Sequence, residues 1–317
     1  MPMNNPLRTS QTHRGSALIS ALFIMTLVAI AATAMNIRVQ RDIYRTHLMI
    51  NSNKLYLAAQ SITFWGMDTL LNQHLPAREK KKGAGLLSYP KELEHVYPSV
   101  SMKGTLYDLQ GSFNLNNLKE KRFLPIFSRL LKTSFKNPEK IKSQIASIQY
   151  WISPYDPERG HHDELNYYQK RWPPDIPGYQ PLQSVSELRL VRGMTDTTYK
   201  NLLPYITALP EVTPINLNTA SKQVLMTLGN GLTESQVIEL LNARGQEGIE
   251  NIQKIAVLLQ KLEIPNEQIT LESNYYLCIA TASTPDSNLT LYTVMKRKKN
   301  QQKKMSVSII SQSIQTM

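Results

Sequence analysis

His13-Arg14-Gly15-Ser16-Ala17-Leu18-Ile19-Ser20-Ala21-Leu22 opens a run with no charged residue between Arg14 and Arg38. Ser16 to Met35 is dominated by Ala, Leu, Ile, Val, Met and Phe over 20 residues. A helix of that length, at about 1.5 Å per residue, spans a hydrocarbon core of roughly 30 Å. A cleaved signal peptide fits this start, because Arg8 and Arg14 precede the run and Ala32-Thr33-Ala34 has the small-x-small pattern of a cleavage site. A retained membrane anchor fits as well. The residues beyond favour retention: Ile37, Tyr44, Leu48, Leu55, Ala59 and Ile62 recur at steps of seven, four and three, one stripe of a helix that continues where a signal peptide would end. No proline interrupts Ser16 to Gln73, and Pro76 supplies a stop. The spacing predicts one helix of about 58 residues and about 85 Å.

Composition bounds the rest. A chain of 317 residues has room for about two domains. With 41% hydrophobic and 19% charged residues it matches neither a multi-span membrane protein nor a disordered one. Cys278 stands alone, so no internal disulfide forms, and no Cys/His set has zinc spacing. Six positive charges between Lys296 and Lys304 make up half the net charge of +12. Flanked by apolar segments, this run reads as a solvated hairpin loop.

Gln73 to Pro98 reads as a linker or surface loop. Val100, Met102, Thr105, Tyr107, Leu109 and Phe113 indicate extended structure broken at Gly104 and Gly111. Lys119 to Trp151 carries apolar residues at helical spacing, and the prolines from Pro154 to Pro181 mark an ordered loop. Ser184 or Ser186 is expected to cap a helix to Leu190, with Glu187 in its first turn. Thr219 is expected to cap Ala220 to Leu228, Gly229-Asn230-Gly231 to turn, and Thr233 to cap a helix to Arg244. Tyr275 to Thr281, Leu289 to Met295 and Val307 to Ile310 alternate as strands. Strands on both sides of a helical middle predict an α+β protein in which one sheet is interrupted by an inserted α-domain.

The junction Arg14-Gly15-Ser16 resembles that of type IV prepilins, whose leader ends at the residue matching Gly15 and whose mature chain begins at the residue matching Ser16. Several further blocks resemble the minor pseudopilin K family of type II secretion systems (general secretion pathway protein K). They are Asp108-Leu109-Gln110-Gly111 with Asn114-Leu115-Asn116-Asn117-Leu118, Pro181-Leu182 with Ser186 through Met194, Leu202-Leu203-Pro204-Tyr205, and Pro214-Ile215-Asn216-Leu217-Asn218-Thr219-Ala220. The resemblance covers nearly the whole chain. It implies a type IV pilin-like long N-terminal helix packed on an antiparallel sheet, with a large α-helical domain inserted between the strands. Its divisions fall at 1–15 for the leader, 16–36 for the transmembrane half of the helix, 37–113 for the first pilin-like part, 114–271 for the insert and 272–317 for the last strands. It also implies processing by a prepilin peptidase, a single span of the inner membrane with the body in the periplasm, and a place at the pseudopilus tip with minor pseudopilins I and J. The positive-inside count opposes that orientation, since Arg38, Arg41, Arg45 and Lys54 follow the span against Arg8 and Arg14 before it. The junction is given precedence.

Position five of the mature chain, a glutamate in most pilins, is Ser20 here. Without that carboxylate the subunit has no amine to neutralise above it, which suits a cap. Members of the family often bind calcium after a Trp-Ile-Asp-x-Asp stretch. This chain departs at Ser153 and Tyr155, leaving Asp156, Glu158, Asp163 and Glu164 as candidate ligands for an ion that takes six to eight oxygens. His161-His162 reads as exposed loop. Residues 214–256 also resemble the helix-hairpin-helix of membrane-anchored DNA-binding proteins, in which glycine-turn amides meet phosphate. Between Asn216 and Lys254, however, Lys222, Arg244 and Lys254 face Glu234, Glu239, Glu247 and Glu250, a net of 3 − 4 = −1, whereas phosphate binding calls for excess positive charge. No nucleic acid is therefore expected. No G-x-S-x-G, Walker A or H-E-x-x-H pattern occurs, so no catalysis is expected either.

Overall fold

The computed structural model describes residues 14–72, 85–156, 162–299 and 304–316. Helix α1, Arg14–Asn72, is 59 residues long, as the proline-free, apolar-striped sequence requires. By contact the chain divides into a unit ending at Leu57 and a unit beginning at Ala58. In the first, the side chains from Ala17 to Ile50 are all exposed, and the helix is apolar enough to cross a membrane, with a mean hydropathy of 2.4 in its best window. Ile37, Tyr44 and Leu48 of the expected stripe are among these exposed residues.

In the second unit, the end of α1 lies on a five-stranded antiparallel sheet. The strands are β1 (Leu87–Ser88), β2 (Ser101–Asp108), β7 (Tyr275–Ser283), β8 (Asn288–Lys299) and β9 (Met305–Thr316), in the order β1-β2-β7-β8-β9. Alternation on β2, β7 and β8 turns Met102, Leu106, Cys278, Ala280, Leu291 and Met295 inward, where they meet Ala59, Ile62 and Leu70 of the helix. Gly104 allows the closest approach: a Cβ there would stand 2.2 Å from Ile62 Cγ2. β1 corrects the reading of 73–98 as loop alone, since Leu87 and Ser88 pair with Leu106 and Thr105. Two residues are too few to show alternation. β9 is an edge strand bonded to β8 on one side, with a register shift opposite Val294/Met295 and Ile309, Ile310 and Ile314 exposed.

Between β2 and β7 the chain makes its excursion. β3 (Phe113–Asn114) pairs in parallel with β4 (Ile206–Thr207), and β5 (Ile215–Asn216) with β6 (Ile269–Thr270). Around these short pairs stand α2 (Leu124–Leu131), α3 (Pro138–Ile152), α4 (His162–Gln169), α5 (Asp196–Leu202), α6 (Lys222–Leu225), α7 (Glu234–Arg244) and α8 (Ala256–Lys261). They close over one core that includes Phe113, Phe127, Ile148, Tyr168, Leu188 and Leu240. The chain thus leaves the sheet at Asp108 and rejoins it at Tyr275, and Phe113 belongs to the insert's core rather than to the pilin-like part read as ending there. The three predicted caps fared differently. Thr233 forms a capping box with Gln236, and Ser184 forms one with Glu187 over a 3-10 turn, Val185–Leu190. Thr219 does not cap α6; Ser221 does, and the Thr219 hydroxyl goes elsewhere.

It goes to Asp108. The carboxylate of Asp108, at the end of β2, accepts hydrogen bonds from Thr219 Oγ1 at 2.6 Å, Ser273 Oγ at 2.7 Å, Asn216 Nδ2 at 2.9 Å and the Gln110 amide at 2.8 Å. Gln110 extends the joint, its Nε2 donating to Pro214 O at 3.1 Å and its backbone carbonyl accepting from Asn216 N at 2.8 Å. Gly111 is required beside it, since a Cβ would lie 3.0 Å from the Thr219 backbone. The Asn-rich blocks work in the same way on backbone. Buried Asn116 receives Leu182 N and donates to Leu182 O and Leu209 O, and Asn218 receives Ile249 N and donates to Ile249 O and Leu271 O. Each asparagine thereby satisfies amides and carbonyls of loops that have no ladder partner.

Burial pushes the Asp108 carboxyl above its ordinary range, opposed by the four hydrogen bonds it accepts. The native state then holds the proton more tightly than the unfolded chain. The contribution of Asp108 to stability is full below the unfolded value, about 3.9, and declines as pH rises through the folded value. Asp108→Asn is expected to flatten the pH dependence of the melting temperature above about pH 4 and to lower stability by about 2 kcal/mol through mismatched donors. Thermal melts of the full chain in detergent across that range measure both.

Candidate functional site

The hydroxyls that meet carboxylates, Thr219 and Ser273 at Asp108 and Ser147 at Glu164, sit in part-buried joints of the fold, and the surfaces that could bind other chains carry the functional question. Gly15 and Ser16 lie in the first turn of α1, and Ser20 lies exposed a turn further on. The helix therefore runs through the predicted cleavage junction without a break, and cutting there would leave it beginning at the apolar run.

At the other end of α1 the outward face mixes exposed apolar side chains with Asp68 and Asn72. Phe64 is 63% exposed and Leu71 37%. One turn before Phe64, Gln60 Nε2 meets Gln312 Oε1 of β9 at 3.1 Å, so this helix face borders the edge strand. Ile314 and Ile309 share a sheet face with Gln312, because their cross-strand partners Leu291, Met295 and Thr293 all point toward the helix. Phe64, Leu71, Ile309 and Ile314, interspersed with Asp68 and the Gln60–Gln312 pair, thus give the second unit a strip of exposed apolar side chains along one flank, the kind of patch that marks a protein contact.

The candidate calcium loop is only partly described. Glu158 and the side chain of Asp163 lie outside the described residues, as do His161 and the His162 side chain. Asp156 is exposed. Glu164 Oε1 is 3.4 Å from the Arg192 guanidinium and accepts from Ser147 Oγ at 3.3 Å, while its Oε2 is buried without a hydrogen-bond partner. Among the described residues no three His, Cys, Asp or Glu side chains gather as a metal site. Behind the loop, Tyr168 is fully buried against Trp151, with ring centroids 5.5 Å apart, and its hydroxyl accepts from Arg192 N at 2.9 Å. Burial drives the Tyr168 phenol up to about 12, so it stays protonated.

In the glycine hairpin of 214–256 two turn amides are spent within the fold. Gly231 N donates to Leu228 O and Leu232 N to Met226 O, both at 2.9 Å. The Arg129 side chain lies against Gly231, with Nη1 donating to Thr227 O at 2.7 Å.

The basic run also departs from expectation. Lys296 to Lys299 continue strand β8 rather than forming loop, and Lys296 Nζ pairs with Glu211 Oε1 at 2.7 Å, tying sheet to insert. Partial burial works against the Glu211 charge, but the Lys296 ammonium bonded to it prevails and holds its carboxyl below the usual range. Sequence reasoning missed this pair because 85 residues separate its members (296 − 211 = 85). Cys278 lies buried in β7, its thiol driven up to about 12 by burial, unsuited to nucleophilic work.

Comparison with known proteins places these features. Two domain models of the type II secretion system (T2SS) protein K match residues 111–211 and 215–272. The type II secretion system protein K of Klebsiella pneumoniae is 30% identical over 76% of this chain and 78% of its own length. That of Pseudomonas aeruginosa is 26% identical over 91% of this chain and 90% of its own. A chain from the crystal structure of the GspK-GspI-GspJ complex of the enterotoxigenic Escherichia coli type 2 secretion system superposes with a TM-score of 0.62 at 21% identity, covering 88% of this chain and 98% of that one. Its likeness is one of fold. With both halves of the insert matched and a relative at this identity aligned over most of its length, the chain belongs to the type II secretion system protein K family.

Proposed function

We propose that this chain is the minor pseudopilin that stands at the tip of a type II secretion pseudopilus and initiates or caps its assembly. The observation that carries the reading is one helix, Arg14–Asn72, whose first part is long and apolar enough for a membrane and whose end packs on a sheet interrupted by a large insert. A pilin-type filament grows by stacking such helices. A subunit with Ser20 in place of a carboxylate, and with residues 109–274 mounted between two strands, is poorly suited to receive another copy above it. The role is structural rather than catalytic, with the span in the inner membrane and the body in the periplasm.

Its partners in this reading are minor pseudopilins I and J, in keeping with the complex named for the similar structure. The strip of Phe64, Leu71, Ile309 and Ile314 is the surface on which a neighbouring pseudopilin helix packs. Aromatic side chains at the centre of such contacts carry much of their energy. Phe64→Asp is expected to weaken co-purification of the partner pseudopilins at least tenfold while leaving the fold intact, since the side chain is solvent-facing; full retention would remove the strip from the interface. Sequencing of the mature protein is expected to begin at Ser16. A start near Met35 would return the N-terminal segment to the signal-peptide class and end the pilin reading.

Calcium enters as a structural ion of the Asp156–Glu164 loop. Support comes from the unpartnered, buried Oε2 of Glu164; Arg192, so close to the other oxygen, opposes it. Excess chelator is expected to lower the melting temperature of the full chain, and an unchanged value excludes a stabilising ion.

A further inference from the structure

The arginines just beyond the apolar run remain unexplained by packing. Arg38, Arg41 and Arg45 are all exposed on α1. At about 100° per residue they fall within about 60° of one another, on one side of the rod. Asp42 shares that side, yet none of the three arginines forms an ion pair with it or with any other described residue. The four residues leave two uncompensated positive charges on one stripe. Their sign is also the wrong one for the side of the membrane on which the body is read to lie.

Depth resolves the conflict. If Ser16 to Met35 fills the hydrocarbon core, Arg38 lies about 4.5 Å past its edge, Arg41 about 9 Å and Arg45 about 15 Å along the axis. The headgroup layer on each side is about 5 to 8 Å thick. Helical side chains lean toward the N-terminus, here back toward the membrane, and arginine keeps its guanidinium in the polar layer while its stem lies along apolar surface. Arg38 and Arg41 therefore reach the headgroup phosphates directly, and Arg45 reaches their outer margin. A guanidinium meets a phosphate through two parallel N–H donors, which makes arginine better suited than lysine to this place.

We infer that Arg38, Arg41 and Arg45 form a binding stripe for the phosphate groups of anionic phospholipids in the leaflet beside the body, fixing how deeply the helix sits. The inference rests on the reading of Ser16–Met35 as a retained span. It commits to lipid rather than to an acidic neighbouring subunit because the three positions track the headgroup layer.

The test uses the full mature chain reconstituted in discs of mixed phosphatidylglycerol and phosphatidylcholine, then released into detergent for native mass spectrometry of retained lipid. Wild type is expected to keep phosphatidylglycerol in preference to phosphatidylcholine. The R38Q/R41Q/R45Q variant is expected to lose that preference by at least tenfold, at about fivefold per cation near an anionic surface, and the R38K/R41K/R45K variant to retain part of it. Equal retention of the two lipids by wild type, or an unchanged preference in the glutamine variant, overturns the inference. So does loss of partner pseudopilins from the glutamine variant with lipid preference intact, which would assign the stripe to a protein contact. Alkaline carbonate extraction of native membranes separates this from its premise: wild type washed off the membrane defeats the span itself, whereas wild type retained with no lipid preference defeats the stripe alone.

Discussion

Two adjacent strands, β2 and β7, must stay in register although residues 109–274 intervene between them. In an ordinary hairpin a short turn sets register; here no turn exists to do so. The buried carboxylate of Asp108 takes that part. By accepting from Thr219, Asn216 and Ser273 it binds the exit of the excursion to its middle and to its return, next to the pair Asp108–Tyr276. A lone buried carboxylate is costly, and this one is tolerated because donors from three segments converge on it. The Gln110 contacts and the close approach at Gly111 make the same joint geometrically narrow, which accounts for Asp-Leu-Gln-Gly as a unit.

The insert follows a related logic. Its strands are two residues long and supply few ladder bonds, so side-chain amides stand in for missing strands. Asn114, Asn116 and Asn117 bind the loops around Leu182, Leu209 and Thr213, while Asn216 and Asn218 bind those around Ser273, Ile249 and Leu271. The two blocks look alike in sequence because they solve the same problem. In the glycine turn that follows the second block, Gly231 N is spent on Leu228 O and the Arg129 side chain lies against Gly231.

What could be read from residue order alone was whatever depends on neighbours along the chain. The unbroken α1, the Thr233 box and the alternation of the last strands are local properties. Where a residue answers to a distant partner, the local reading failed. Thr219 sits where a helix cap belongs, yet its hydroxyl serves a carboxylate 111 residues away. Lys296 sits in a run of like charge, yet it pairs in a strand with Tyr275 and Ser308 and meets Glu211 across the fold. Asparagines that usually mark turns are buried here, and nothing in their spacing reveals the carbonyls they meet. The exposed strip at Phe64 escaped notice for a related reason: aromatic residues on a helix read as core until the sheet is seen to cover the opposite face.

The last strand carries no charge from Met305 onward, and among the described residues no strand pairs with its outer side. Natural edges are usually guarded by lysine, proline or brevity. This one has a register shift beside Ile310 and little else. A body synthesised in surplus over its companions would be apt to meet its own kind edge to edge and precipitate, so balanced synthesis with those companions is a condition of solubility before it is one of secretion.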